Sequence, residues 1–286
     1  MITRTTGLLV LEVRNSNPNG DPDRDSDPRQ RPDGLGEISP VSVKRKARDL
    51  ISDKEGPVWK ELGKNLDVEC HDILESRERD RSAIKKLLSE KDGVRKFHKR
   101  YWDARVFGNT FLEEADKDEV AQSAVRSGVV HFGLGVSVAP IEIERLTLTN
   151  KSGVEEGKTR GMAPMGFRIV RHAVYWMPFF VNPTAAGKTF CTDEDVALLF
   201  RVLPHIYDHT RSAIRPMVGI LHAWVIEHKS PLGSFSDFQM LDALRPKLKP
   251  EIKQPQTIDD YLIPSWEDVP EDLRKKAARG RDLLAG

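Results

Sequence analysis

The stretch at 15–34, NSNPNGDPDRDSDPRQRPDG, limits the fold more than any other. It follows directly on the apolar run at 7–13, GLLVLEV, and it contains four prolines together with Asn-Gly and Asp-Gly steps. Proline lacks a backbone donor and fixes φ, so neither a helix nor a central strand can continue through it. Residues 6–14 therefore read as a strand, apolar enough to be buried on both faces, that ends in an ordered turn or a loop. Ser39 and Pro40 then supply an N-cap and a first helical residue for a helix at 41–51. That helix carries Lys44, Arg45, Lys46 and Arg48 in its first turns. A strand, a donor-rich loop and a cationic helix start form an anion-binding arrangement. Asn15, Asn17 and Asn19 ahead of the helix add neutral donors suited to phosphate.

The rest of the chain supplies the partners of these elements. Residues 57–101 read as mostly helical, broken near Gly63 and Gly93, with too few apolar positions for core and hence as an insertion. At 125–138 the pattern alternates, with Val130, Phe132, Leu134, Val136 and Val138 on one face and His131, Gly133, Gly135 and Ser137 on the other. Glycines on the second face allow another backbone close approach. A strand at 141–149, a turn at 150–153, a polar segment at 155–166 and a long strand at 167–181 make a protruding ribbon. Thr192 caps a helix to about Tyr207, and 217–228 is the last core strand. The region 231–286, short helices between proline joints, reads as peripheral. Without insertions the order is strand, helix, strand, strand, helix, strand. The expected fold class is therefore α+β with a modified RNA-recognition-motif (ferredoxin-like) core. The chain reads as one such domain over 1–286, with a helical insertion at 52–102, a protruding β-ribbon at 140–166 and a peripheral C-terminal segment at 231–286.

Charge narrows the partners. The formal net charge is only +1, unlike a dedicated nucleic-acid-binding domain. The charge is segregated, however: 77–100 holds ten Lys/Arg against four Asp/Glu, and 21–37 holds six acids against three bases. Such a chain can bind a polyanion on one face or stack head to tail with copies of itself. Two distant cysteines, Cys70 and Cys191, give no disulfide framework or zinc motif, which fits a reducing cytoplasm. No apolar run is long enough for a membrane span, and the polar start is no signal peptide.

Catalytic readings are weaker than structural ones. Asp21, Asp23, Asp25 and Asp27 alternate as in a calcium loop, but the glycine and terminal glutamate are out of place. His205 and His209 have a metal-ligand spacing without a completing glutamate, and residues 208–212 lack a glycine-flanked nucleophile. His222 and His228 read as satisfied sheet histidines. Met162 and Met165 are either ordinary loop residues or an apolar wedge on a basic ribbon. The basic surface at 77–100 is a solvated helical face or a groove that tracks a nucleic-acid backbone.

Several segments together resemble one family. They are NSNPNGDPD at 15–23, Lys44 to Lys46 on the next helix, DARVFG at 103–108, VRSGVVHF at 125–132, DHTRSAIR at 208–215 and EHKSPLG at 227–233. In this order they resemble the CRISPR-associated Cascade backbone proteins (the Cas-seven family of the RAMP superfamily), most closely the type I-C branch. The resemblance implies a modified RNA-recognition fold shaped as a hand, with a palm, helical fingers at 52–102 and a β-ribbon thumb at 140–166, whose copies form a helical filament along a CRISPR RNA. It also implies presentation of the guide to target DNA, other Cascade subunits as neighbours, a recruited nuclease-helicase, no cofactor and no catalysis. On the matching positions it implies RNA contacts by Asn15, Asn17, Lys44, Arg45, Lys46 and Arg48 in the palm. Arg105, Arg126, Ser127 and Arg211 would add to these, with Arg160, Met162, Met165 and Arg168 on the ribbon. Residues 129–135 lack the aromatics with which a typical RNA-recognition sheet reads bases, which favours backbone binding. A metal-dependent ribonuclease using Asp21 to Asp27, or an assembly protein that binds no nucleic acid, are the alternatives.

Overall fold

The computed structural model describes residues 1–76, 81–109, 126–151 and 162–285. The first strand, β1 (Thr5–Ser16), is buried along nearly its whole length, as its unbroken apolar run requires. It ends where Asn15 turns left-handed at φ 42°, a conformation asparagine tolerates better than most residues. The proline-rich stretch is ordered: Asn19 and Gly20 pair back onto Arg29 and Pro28, and Asp21 caps a short turn at Pro22–Arg24. It leads into β2 (Leu35–Ile38), a four-residue strand that the sequence reading does not anticipate. Helix α1 (Pro40–Ser52) then starts as expected, with the Ser39 hydroxyl accepting from the Ser42 N–H.

Four short helices follow, α2 (Pro57–Leu62), α3 (Arg81–Ser89), α4 (Gly93–Arg100) and α5 (Trp102–Val106). The expectation that this region is a simple insertion needs correcting. Val58, Trp59, Ile73 and Trp102 belong to the main core, and only Leu74, Ile84, Leu88, Phe97, Tyr101 and Ala104 form a cluster of their own. Low apolar density concealed a few large side chains, which carry most of the buried area.

The alternating segment at 125–138 is three strands instead of one. β3 (Gly108–Asn109) pairs with β4 (Arg126–Ser127), and β5 (Val130–Phe132) and β6 (Gly135–Pro140) both lie on β8. β7 (Ile143–Lys151) runs antiparallel to the outer half of β8 (Met162–Val181), from Ile143 opposite Val170 to Lys151 opposite Met162. The pairing of β5 places Phe132 opposite Phe179, while β6 places Val136 opposite Trp176, a slip of one residue. A one-residue slip exchanges the faces. Val130 and Phe132 therefore enter the main core, but beyond the break Gly135, Ser137 and Ala139 are the buried set and Leu134 is 50% exposed. The ribbon is present as expected. Its second strand begins at Met162, so Met162 and Met165 lie on strand backbone and not in the loop.

A helix at Asp193–Val202 opens with a Thr192/Asp195 capping box. It stops short of Tyr207 because Pro204 cannot donate, and a tight turn at Leu203–His205 takes over. β9 (Val218–His228) returns beside β1, and the tail contributes β10 (Lys247–Leu248), β11 (Tyr261–Leu262) and β12 (Ala277–Asp282). The main sheet has the order β12-β9-β1-β8-β6-β2, with antiparallel neighbours. Its inner strands β9-β1-β8-β6, with α1 and the helix at Asp193–Val202 as crossovers, form a mixed α+β fold consistent with a ferredoxin-like core.

Both faces of the sheet are covered. Leu9, Leu11 and Val13 of β1 face the helices, while Leu8 and Val10 face Met240, Leu241, Leu244, Val269 and Leu273 of the tail. The tail is thus the second layer and not peripheral. The helix at Asp237–Leu244 contributes three buried side chains and every other piece between prolines two or fewer, too few for a periodic signal. Among the described residues no helix is long and apolar enough to cross a membrane.

Candidate nucleic-acid interface

Helix α1 has a cationic site on each flank. Lys44 and Arg48 are four residues apart, so they share one flank. They meet Val41, Glu75, Phe107, Asn109, Arg126, Ser127 and His131 around an open groove of about 380 Å³. The groove depends on glycine. Gly108 sits at φ 78°, and a Cβ on Gly128 would lie 2.3 Å from the Gly108 nitrogen, so β3 and β4 approach closely only because both are glycines. Phe107 forms part of the floor, with Lys44 Nζ 5.3 Å and Arg48 Cζ 5.2 Å from its ring centre. Burial, then the neighbouring Arg48, lower the Lys44 pKa below the ordinary lysine value, with Glu75 opposing.

The other flank carries Lys46, which is 5% exposed. Its Nζ donates to Thr210 Oγ1 at 3.1 Å and lies 5.0 Å from the centre of the Tyr207 ring. Arg215 stands nearby, its Nε donating to the Asn17 carbonyl at 2.9 Å. Among the described residues neither Lys46 nor Arg215 has a carboxylate within ion-pair distance. Burial, with Arg215 adding repulsion, brings Lys46 down to about 8. Two neighbouring cations without a carboxylate in ion-pair distance, with only Asp49 attracting Lys46 from one turn along α1, suit an anion from outside the chain.

The remaining candidates separate by their partners. Asn15 is exposed at the turn out of β1. Asn17 is buried, with Nδ2 donating to the Ser26 carbonyl at 2.8 Å, and its Oδ1 has no partner among the described residues. Arg45 pairs with Asp49 at 2.7 Å and donates to the Glu75 carbonyl at 3.0 Å, on the exposed ridge between the two flanks. Arg126 and Ser127 line the groove. Arg211, 60% exposed, pairs with Asp208 at 2.8 Å. Arg160 lies outside the described residues.

Three of the arginines expected to contact RNA are engaged by groups of the chain itself. Arg105 is 5% exposed, grips both Asp195 oxygens at 2.6 and 2.9 Å and donates to the carbonyls of Cys70, His98 and Lys99. It ties α4 and α5 to the start of the helix at Asp193–Val202, with no donor left for a ligand. Arg48, at the edge of the groove, pairs with Asp103 at 2.8 Å and Glu75 at 3.1 Å. Arg168 is held by the acidic loop, with Asp27 at 3.2 Å, Asp25 at 3.4 Å and the Asp25 carbonyl as partners. Asp27 also takes Arg145 of β7 at 2.8 Å. The loop at 21–27 is therefore a clasp on the ribbon through Asp25 and Asp27, while Asp21 lies 3.8 Å from Arg29. Among the described residues no group of three His, Cys, Asp or Glu is arranged to hold a metal ion.

Phe107 and His131 line the groove, and Thr210 and Arg215 stand beside Lys46, although none of the four is named above as a candidate contact. Arg215 closes the segment at 208–215 that carried the resemblance, and it was the one with a readable signal. Phe107 and His131 look like core and strand residues until the groove forms.

The fold and the two flanks of α1 define a mixed α+β protein with cation-lined sites on its helical side. A family model described as CRISPR-associated protein Cas7 matches residues 3–265, and the chain belongs to that family. A CRISPR-associated protein Cas7 of Haloferax volcanii is 26% identical over 211 residues, which is 69% of this chain. The chain spans 62% of the length of that relative. Among solved structures, a chain of a CRISPR RNA-guided surveillance complex, pre-nicking, overlays with a TM-score of 0.49 at 15% identity, covering 78% of each chain. A chain of a Type III-B Cmr-beta bound to cognate target RNA overlays with a TM-score of 0.40 at 14% identity, covering 79% of this chain and 61% of that one. The family assignment rests on the sequence match and not on these overlays.

Proposed function

We propose that this chain is a non-catalytic backbone subunit of a CRISPR surveillance complex of the type I-C kind, binding the guide RNA through its phosphates. The observation that carries this reading is the pair of cationic sites straddling α1, above all Lys46 and Arg215 with no carboxylate partner among the described residues. In this reading the modified RNA-recognition core is the palm and the helices of 52–102 are the fingers. The β7–β8 ribbon is the thumb, with Met162 or Met165 near a displaced base. Lys44, Arg126 and Ser127 take one stretch of backbone, Lys46 and Arg215 the next, and Asn15 and Arg45 lie at the margins. Arg48 and Arg105 hold the scaffold beneath. Copies stacked along the guide would present its bases to target DNA, alongside other subunits of the complex and a recruited nuclease-helicase.

The covered sheet supports backbone binding over base reading. A typical RNA-recognition sheet stacks bases on an open face, and here the tail occupies that face. A guide must be held whatever its sequence, and phosphate contacts do this. The ribonuclease alternative has no comparable support, since Asp25 and Asp27 are engaged by arginines of the ribbon.

The test is binding of the full chain to two unrelated single-stranded RNAs of about 30 nucleotides, followed across a salt series. Similar affinities are expected. The combined change Lys44→Ala, Lys46→Ala, Arg215→Ala should flatten the slope of log K against log salt by about 0.7 for each phosphate that is no longer neutralised. An unchanged slope and affinity in that variant would overturn the assignment.

A further inference from the structure

Among the described residues Lys46 has no carboxylate within ion-pair distance, and the attraction of Asp49 offsets its burial only in part. Asp49, one turn along α1, is occupied by Arg45 at 2.7 Å. Tyr207 offers a ring face, and burial pushes its hydroxyl up, so it stays neutral. Thr210 offers only a hydroxyl, at 3.1 Å. Arg215, from the loop before β9, is a second cation, permanently charged. The niche therefore penalises the charged lysine twice, by burial and by repulsion, and this is why Lys46 sits at about 8. A phosphate seated between Lys46 and Arg215 reverses the balance, because a contacting anion favours the ammonium form.

We propose that seating an RNA phosphate at Lys46 and Arg215 is coupled to proton uptake from solvent by the neutral fraction of Lys46 Nζ, at most one proton per site, so that guide binding weakens as the pH rises through a range in which ordinary lysines stay charged. This inference rests on the RNA-binding reading above. Only the ammonium form is competent, so apparent affinity falls by the factor 1 + 10^(pH − pKa), about 1.1 at pH 7 and about 11 at pH 9. The expected loss is about tenfold between those limits.

The experiment is anisotropy of a labelled RNA of about 30 nucleotides with the full chain at about pH 7 and pH 9, at constant ionic strength. The readout is the ratio of the two dissociation constants. The unaltered chain should show about a tenfold ratio. Lys46→Arg, always charged, and Lys46→Met, always neutral, should each bring the ratio close to one, whatever their affinities at neutral pH. Lys44→Arg should retain most of the ratio, since Lys44 is only half-buried where Lys46 is buried. Calorimetry at about pH 8.5 in two buffers of different ionisation heat should record uptake of about 0.8 proton per bound chain, lost in both Lys46 variants. A ratio near one in the unaltered chain, or an undiminished ratio in Lys46→Arg, overturns the proton coupling and leaves the RNA reading standing. No RNA binding at any pH removes both.

Discussion

Arg48, Arg105 and Lys46 are equally deep, at 4%, 5% and 5% exposure, yet they belong to two regions built on opposite principles. On the finger side each arginine meets a carboxylate, and Arg105 also meets three main-chain carbonyls. Desolvation is compensated there within the chain. On the far flank of α1, Lys46 and Arg215 face each other with a hydroxyl, an aromatic ring and a main-chain carbonyl for company. Burial alone does not distinguish a structural cation from a binding one. The inventory of counter-charges does, because an uncompensated pair is stabilised only when something outside the chain supplies the anion.

The comparison can be broken most directly at Arg105. Arg105→Ala leaves Asp195 buried without its partner and should cost about 3–5 kcal/mol in a denaturant titration. Arg105→Lys should rescue only part, since an ammonium cannot grip both oxygens and three carbonyls in one plane. A loss below about 1 kcal/mol would mean that Arg105 is not a structural hub. Arg48→Ala should follow with about 1.5–3 kcal/mol, because Asp103 keeps the Leu74 and Glu75 N–H donors.

Lys46→Met should behave in the opposite way. Removing an uncompensated cation should leave the melting temperature unchanged or raise it by a few degrees, roughly the equivalent of 1 kcal/mol or less, while RNA binding weakens. A large drop in melting temperature would place Lys46 with the structural arginines. Asp27→Asn tests the clasp between the acidic loop and the ribbon, with an expected cost of about 1 kcal/mol or less. Faster amide exchange along β7 and the outer half of β8 would report it. Arg211→Ala should be the mildest, within about 0.5 kcal/mol in stability, given its exposed pair with Asp208. A clear loss of RNA affinity in that variant would add Arg211 to the phosphate contacts.

Local patterns were easy to read where the chain speaks for itself. The doubly buried β1, the Ser39 and Pro40 start of α1, the Thr192 cap and the ribbon at 141–181 all follow from nearest-neighbour chemistry. Three features did not. The break at Gly133 and Leu134 is invisible because the alternation persists in sequence while the pairing slips by one against β8. The role of the tail is hidden because Leu241, Val269 and Leu273 are spread over separate short pieces. Strand β2 is hidden because LGEI has little pattern until β6 lies beside it.

The candidate site divides in the same way. A helix beginning with Lys44, Arg45, Lys46 and Arg48 can be read as cationic from composition and capping alone, and so can the donor-rich turn ahead of it. The order of strands and helices also follows from periodicity, because both depend on residues close together in the chain. Which cations are scaffold and which face a ligand depends on Asp103, Asp195, Asp27 and Arg215. These reach Arg48, Arg105, Arg168 and Lys46 only through packing between distant segments. Charge interactions fall off over a few ångströms and depend on burial, so only the tertiary structure decides which charges are already balanced.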